Sequence, residues 1–238
     1  MLDTMVASKT NPDENYLQAI FEFGCKSRGS DRLSYPTVVA GGLNATKLHY
    51  ESNNHPIKST DLVLVDGGAQ YGHYNSDVAR TWPVSGKFTE AQQEIYEAVL
   101  FVNKAIIATL ENGAKKSMDG LYSFAIVVLT QKLFDLGFFV PFDNMGKLWF
   151  ITYGPYNIVG IKIFLDAKDK RNKSFDMTRK LFPHQVGHFI GLDVHDTLGI
   201  PLSHDLRPGQ VISIEPGLYI PDEDIYPEKY RGIGTVYH

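Results

Sequence analysis

The chain has 238 residues, 43% of them hydrophobic, and its 23 Lys plus Arg against 27 Asp plus Glu give a formal net charge of −4. That is enough apolar material for one large domain with a full core, which excludes a disordered chain. No basic stripe offers a footprint for nucleic acid, no apolar run reaches the roughly 18 residues that cross a bilayer, and the single cysteine, Cys25, excludes an internal disulfide.

The opening stretch, MLDTMVASKTNPDEN, has neither the apolar centre of a secretory signal nor the arginines of a transit peptide, and residues 1–15 read as a disordered leader. Between 13 and 28, Leu17, Ile20, Phe21 and Phe23 recur at helical spacing and predict a first amphipathic helix. Four strand-like stretches follow, 35–42, 47–52, 61–68 and 73–84, broken by Gly, Asn and Pro, and they predict an antiparallel β region. Inside it lies VDGGAQYGHYNSD. A two-residue turn at Tyr71-Gly72 would set Asp66 directly opposite Asp77, with Cβ atoms roughly 5 Å apart. Like charges in that arrangement repel.

Thr89 with Gln92 three residues later forms a capping-box pattern. The stripe Ile95, Val99, Val102, Ile106 and Leu110 then predicts a long helix that stops at Asn112-Gly113. A second helix is expected over 117–136, ended by Gly137, and the two form a packing layer over the sheet. Residues 141–175 fit neither period and make an unusually long connection. Strand character returns in QVISIEPGLYI, residues 210–220, after the turn at Arg207-Pro208-Gly209.

Candidate chemistry sits in three places. Besides Asp66 and Asp77, PHQVGHFIGLDVHD supplies His184, His188 and His195, and Glu215 follows the apolar Val211, Ile212 and Ile214. Singly these are a structural histidine, a solvated hairpin and a salt-bridged glutamate. Together, three carboxylates and several imidazoles suit a hard or borderline divalent ion such as Mn²⁺, Co²⁺ or Zn²⁺. Two such ions roughly 3.5 to 4 Å apart would also offset the repulsion between the aspartates. The helical zinc signature H-E-x-x-H is not met, because Gln185, Val186 and Gly187 separate the two histidines.

The ordered set LVLVDGGAQYGHYNSDVARTWPVSGKFT, HQVGHFIGLDVHD, LRPGQVISIEPGLYIP and RGIG resembles the catalytic domain of the Xaa-Pro aminopeptidases in the pita-bread metallopeptidase family. The resemblance covers roughly 16–234, apart from about 143–175. It implies an α+β pita-bread fold, a curved antiparallel sheet covered by helices. On that resemblance residues 16–238 are expected to form the catalytic domain, with 143–175 an atypical insertion, the closing strands incomplete and the family's separate N-terminal domain absent. It implies removal of a residue preceding proline by water activated between two divalent ions, with Mn²⁺ first and Co²⁺ or Zn²⁺ as alternatives. Asp66, Asp77, His188 and Glu215 match the metal ligands, and Glu215 also helps to activate the water. His49, His184 and His195 match histidines that contact substrate and stabilise charge, while Cys25 has no catalytic role. The implied partners are peptides with proline second and a second copy of the chain, in mitochondrion or cytoplasm.

The positions after RGIG also depart from the family pattern. After RGIG the family continues through an arginine to a glutamate that bridges both ions, whereas here Thr235, Val236, Tyr237 and His238 follow, with His238 at the glutamate's place and expected to fray. Loss of that arginine alone can weaken metal binding 10- to 100-fold. Two alternatives therefore stand beside the active peptidase: an impaired isoform serving as a protein-binding module, and a methionine-aminopeptidase-like enzyme.

Overall fold

Period-two alternation in LVLVDG fixes where the site can be. The structure, a computed structural model, describes residues 1–10, 13–113, 116–139, 150–151, 159–161, 168–196 and 199–238. Helix α1 (Leu2–Ala7) precedes α2 (Glu14–Ser27), whose N-cap Asp13 accepts from the Tyr16 N–H. The leader expected to be disordered is thus partly helical. Thr4 and Ser8 are fully buried, and the Trp82 indole N–H donates to Ser8 Oγ at 2.9 Å.

Strands β1 (Arg32–Leu33), β2 (Val38–Gly41), β3 (Leu62–Gly67), β4 (Ala69–Tyr71), β5 (Tyr74–Asn75) and β6 (Val78–Pro83) follow. They pair antiparallel in the orders β2-β3-β6 and β1-β4-β5. Along β3, Val63 and Val65 point towards α2 and pack with Leu17, Phe21, Val39 and Trp82. Each fully buried valine there contributes about 1.5–3 kcal/mol of hydrophobic stabilisation. Leu64 and Asp66 therefore take the opposite face, where Leu64 packs with Ala40 and Ala79.

Two expectations need correction. Residues 47–52 form no strand, because His49 and Asn53 adopt left-handed φ values of 51° and 43°. The Asn53 amide holds that path by accepting from Val39 N at 2.8 Å and donating to Thr37 O at 2.7 Å. The hairpin turn is Gly72-His73, with φ of 55° and 71°, one position later than expected. Tyr71, a bulky residue, would be strained at positive φ; instead it pairs with Tyr74. Asp66 consequently lies opposite Ala79, and Asp77 becomes its diagonal neighbour on the same face.

The helical layer forms where the stripe predicts it. Helix α3 (Glu90–Glu111) opens with the complete capping box of Thr89 and Gln92, and α4 (Met118–Asp135) opens at Ser117. Their C-terminal glycines, Gly113 and Gly137, have φ of 72° and 81°. Ile95, Val99, Val102, Ile106, Leu121 and Leu129 centre the largest core cluster.

Of the stretch expected to be atypical, β7 (Phe150–Ile151) pairs with β8 (Val159–Ile161), and α5 (Lys168–Leu181) packs on α4. Residues 143–149, 152–158 and 162–167 lie outside the described residues. Only part of the 210–220 strand forms as such: β9 (Gly217–Tyr219), which pairs antiparallel with β10 (Gly234–Val236).

Candidate metal centre

The site is assembled from two hairpin-like pairings. One is the β3–β6 ladder with Asp66 and Asp77. The other runs between 186–190 and 211–215, where Ser213 N donates to His188 O and Glu215 N to Val186 O, both at 2.8 Å. Gly187 permits this pairing, since a Cβ there would lie 2.1 Å from Ser213 O. The segment containing His184 and His188 is therefore extended rather than helical, which disposes of the helical zinc signature on structural grounds as well.

His188 is the hub. Its Nε2 lies 3.2 Å from Asp77 Oδ2 and 3.1 Å from Glu215 Oε1. Its Nδ1 lies 3.0 Å from Phe189 O; a carbonyl only accepts, so Nδ1 carries the proton. Nε2 sits between two carboxylate oxygens, and in the absence of an ion it carries a second proton donated to them. Without that proton three acceptors would face one another, so positive charge, a proton or a metal ion, belongs at this point. Although burial opposes it, contact with Asp77 and Glu215 pushes the His188 pKa up to about 10.

The two aspartates, by contrast, are driven apart. Burial raises Asp66 to about 6, against the Tyr35 hydrogen bond. Asp77 is also buried, but its contacts with His188 and His238 outweigh that and hold it well below the usual carboxylate range. Glu215 is likewise lowered, burial being overcome chiefly by His188.

Outer contacts fix these donors. The His188 backbone N–H donates to Ser213 Oγ at 2.8 Å, and Ser213 Oγ donates to Glu215 Oε1 at 2.9 Å. The Tyr35 hydroxyl, 2.6 Å from Asp66 Oδ1, also contacts Asp77 Oδ1 and ties the diagonal pair together.

Among the described residues, no group of three or more His, Cys, Asp or Glu side chains stands in a geometry that holds a metal ion. The donor chemistry nevertheless fits an ion. Two donors each about 2.1 Å from one ion, and at right angles around it, lie about 3 Å apart. The spacings of 3.1 and 3.2 Å around His188 Nε2 are of that size, and the Phe189 carbonyl supplies the partner that orients a ligating imidazole.

Asp66, His188 and Glu215 line a cavity of about 320 Å³ whose walls include His49, His184, His195 and Tyr219. His184 Nδ1 lies 2.8 Å from Gln185 O and its Nε2 lies 2.9 Å from Tyr219 Oη, so both ring nitrogens are engaged. Burial lowers its pKa and keeps it neutral. His195 stands edge-on to His188 with ring centroids 4.4 Å apart, and both it and His49 are exposed.

The loop carrying His49 is clasped by the fully buried Glu14. One carboxylate oxygen accepts from Gly41 N at 2.9 Å and Asn44 Nδ2 at 3.0 Å; the other accepts from Tyr50 Oη at 2.7 Å and His55 N at 3.0 Å.

All seven expected site residues thus share one neighbourhood. Sequence reasoning missed Tyr35, Tyr219 and Glu14, whose partners are distant in the chain, and Ser213, which joins the distant His188 to its near neighbour Glu215. His238 is a correction: its side chain is 6% exposed, and its Nδ1 lies 3.3 Å from Asp77 Oδ1 rather than frayed into solvent.

Similarity to known proteins gives the family. The model of metallopeptidase family M24 matches residues 1–236. Xaa-Pro aminopeptidase 3 of Rattus norvegicus is 43% identical over 98% of this chain and 40% of its own length. The Homo sapiens protein of that name is 44% identical over 98% of this chain and 41% of its own. Intermediate cleaving peptidase 55, mitochondrial, of Arabidopsis thaliana is 35% identical over 98% of this chain and 40% of its own. The chain spans about 40% of the length of these relatives.

Among solved structures, Icp55 from Saccharomyces cerevisiae superposes with a TM-score of 0.77 and 32% identity over 99% of this chain and 49% of that one. A variant of Escherichia coli aminopeptidase P in complex with substrate gives 0.79 and 30% identity over 99% and 48%. The fold is the pita-bread fold of these structures. The family match over 1–236, the identities above and the superpositions agree: this chain belongs to metallopeptidase family M24.

Proposed function

We propose that this chain is the catalytic part of a metal-dependent aminopeptidase that removes an N-terminal residue preceding proline. The observation that carries the reading is the convergence of Asp77 and Glu215 on Nε2 of His188, beside a histidine-walled cavity. The names of the relatives, Xaa-Pro aminopeptidase 3 and aminopeptidase P, support the substrate class.

Asp66, Asp77, His188 and Glu215 would hold two divalent ions, with Mn²⁺ preferred and Co²⁺ or Zn²⁺ as alternatives. When bound, such ions supply Lewis acidity toward the scissile carbonyl and lower the pKa of water. The remaining work falls to the chain. Glu215, oriented by Ser213, accepts the proton of the attacking water. His184, with both nitrogens engaged, forms a rigid neutral wall, whereas the exposed His49 and His195 are available to donate to the peptide carbonyl as charge develops. A mitochondrial location is proposed from the name of the Arabidopsis relative.

A second reading, a protein-binding module on the same fold, is favoured by one observation: an imidazole, His238, stands beside Asp77 where the family resemblance calls for a carboxylate. The deciding experiment offers the Mn²⁺-supplemented protein two peptides of equal length, one Xaa-Pro and one Met-Ala. Release of the first residue from the Xaa-Pro peptide alone is expected. Release of methionine alone would transfer the assignment to the methionine branch, and cleavage of neither would favour the binding module.

A further inference from the structure

We propose that His238 is itself a metal ligand of this centre and shifts its preference from Mn²⁺ towards the borderline ions Co²⁺ and Zn²⁺. The inference rests on the reading of the Asp66, Asp77, His188 and Glu215 cluster as a divalent-metal site.

His238 is built into the structure. Its backbone N–H donates to Ala79 O at 3.2 Å, its carbonyl accepts from the Arg80 guanidinium, and that guanidinium lies 4.6 Å over the neighbouring Tyr237 ring. The ring is thereby delivered to Asp77 on the side away from His188. Asp77 Oδ2 faces His188 Nε2 at 3.2 Å, and Asp77 Oδ1 faces His238 Nδ1 at 3.3 Å.

The side chain is only 6% exposed, yet Nδ1 has no hydrogen-bond partner among the described residues. Its approach to Asp77 falls within ion-pair distance without completing a regular hydrogen bond. Two ligands of one ion stand at the same separation, roughly 3 Å. A buried imidazole nitrogen without a well-formed hydrogen bond is costly, and an ion held between it and the carboxylate would satisfy both.

The consequence for selectivity follows from ligand type. Carboxylates suit Mn²⁺, whereas imidazole nitrogen suits Zn²⁺ and its neighbours in the borderline group. A second imidazole moves the donor set in that direction, and a carboxylate at the same position would move it back.

The test is competition dialysis of metal-stripped protein against equal Mn²⁺ and Co²⁺, with bound metal read by elemental analysis and the Co²⁺ visible spectrum recorded. Parent, His238→Glu, His238→Gln and His188→Ala proteins are compared, with a thermal melt identifying any variant that fails to fold. The parent should favour Co²⁺, His238→Glu should shift the ratio toward Mn²⁺ by about tenfold or more, and His238→Gln should lower Co²⁺ affinity and alter its spectrum. Parental ratios, affinities and spectra in both folded His238 variants, with binding lost in His188→Ala, would overturn the inference and leave the metal site standing. Parental binding in His188→Ala as well would overturn both.

Discussion

Replacing Glu14 by alanine removes the acceptor for four donors at once: Gly41 N, Asn44 Nδ2, Tyr50 Oη and His55 N. Asn44 is half-buried and His55 exposed, so water can replace the carboxylate there. Tyr50 is 6% exposed and Gly41 is half-buried within β2. Each such inner donor left unsatisfied costs about 1–3 kcal/mol, giving a destabilisation of about 2–5 kcal/mol.

For a domain of this size, that is a fall in Tm of roughly 10 °C. Glu14→Gln should fall between parent and alanine. Its amide oxygen serves one pair of donors, while its NH₂ group confronts the other pair. Denaturant unfolding measures the energy. Hydrogen exchange should show faster opening over residues 42–55, the loop that carries His49. A change within about 0.5 kcal/mol for the alanine variant, the range of an ordinary surface substitution, would refute the clasp.

Three further outcomes are expected. Gly187→Ala would place a Cβ 2.1 Å from Ser213 O, so it should break the 186–190/211–215 pairing and abolish metal binding, at a cost of about 2–4 kcal/mol in a urea melt. Tyr35→Phe keeps the ring but removes the hydroxyl shared by Asp66 and Asp77; calorimetric metal affinity should drop 10- to 100-fold while the far-ultraviolet spectrum is unchanged. Thr89→Ala deletes the capping box of α3 and should cost about 1 kcal/mol in thermal unfolding without altering metal content, because the cap lies outside the site.

Local signals carried much of the fold. The stripe on α3, the Thr89 cap and the terminal glycines were legible because each is written within a few consecutive residues. The residues of the donor motifs also stand together: His49, Asp66, His184, His188, His195 and Glu215 line one cavity, with Asp77 against His188. The hairpin register was missed by one position, since sequence spacing cannot show that Gly72 and His73, rather than Tyr71, take positive φ. Residues 47–52 alternate like a strand, yet Asn53 and Glu14 bind the surrounding backbone into a turn.

Tyr35, Tyr219 and Glu14 had no local signature, and the only local partner of Ser213 is Glu215 two residues on. Tyr35 meets Asp66 and Asp77 across 31 and 42 residues, and Glu14 meets His55 across 41. His238 was misjudged because fraying is expected of a residue judged only by its place in the chain. The backbone bonds to Ala79 and Arg80, seen only in the fold, hold it instead.

The most direct test of the central claim is a titration of metal-stripped protein with Mn²⁺ in which release of the first residue from an Xaa-Pro peptide is followed. The account predicts turnover that is absent without metal, rises saturably with it, and is lost in Glu215→Gln. Turnover that proceeds undiminished in the stripped protein, or that survives Glu215→Gln at the parental rate, would contradict it.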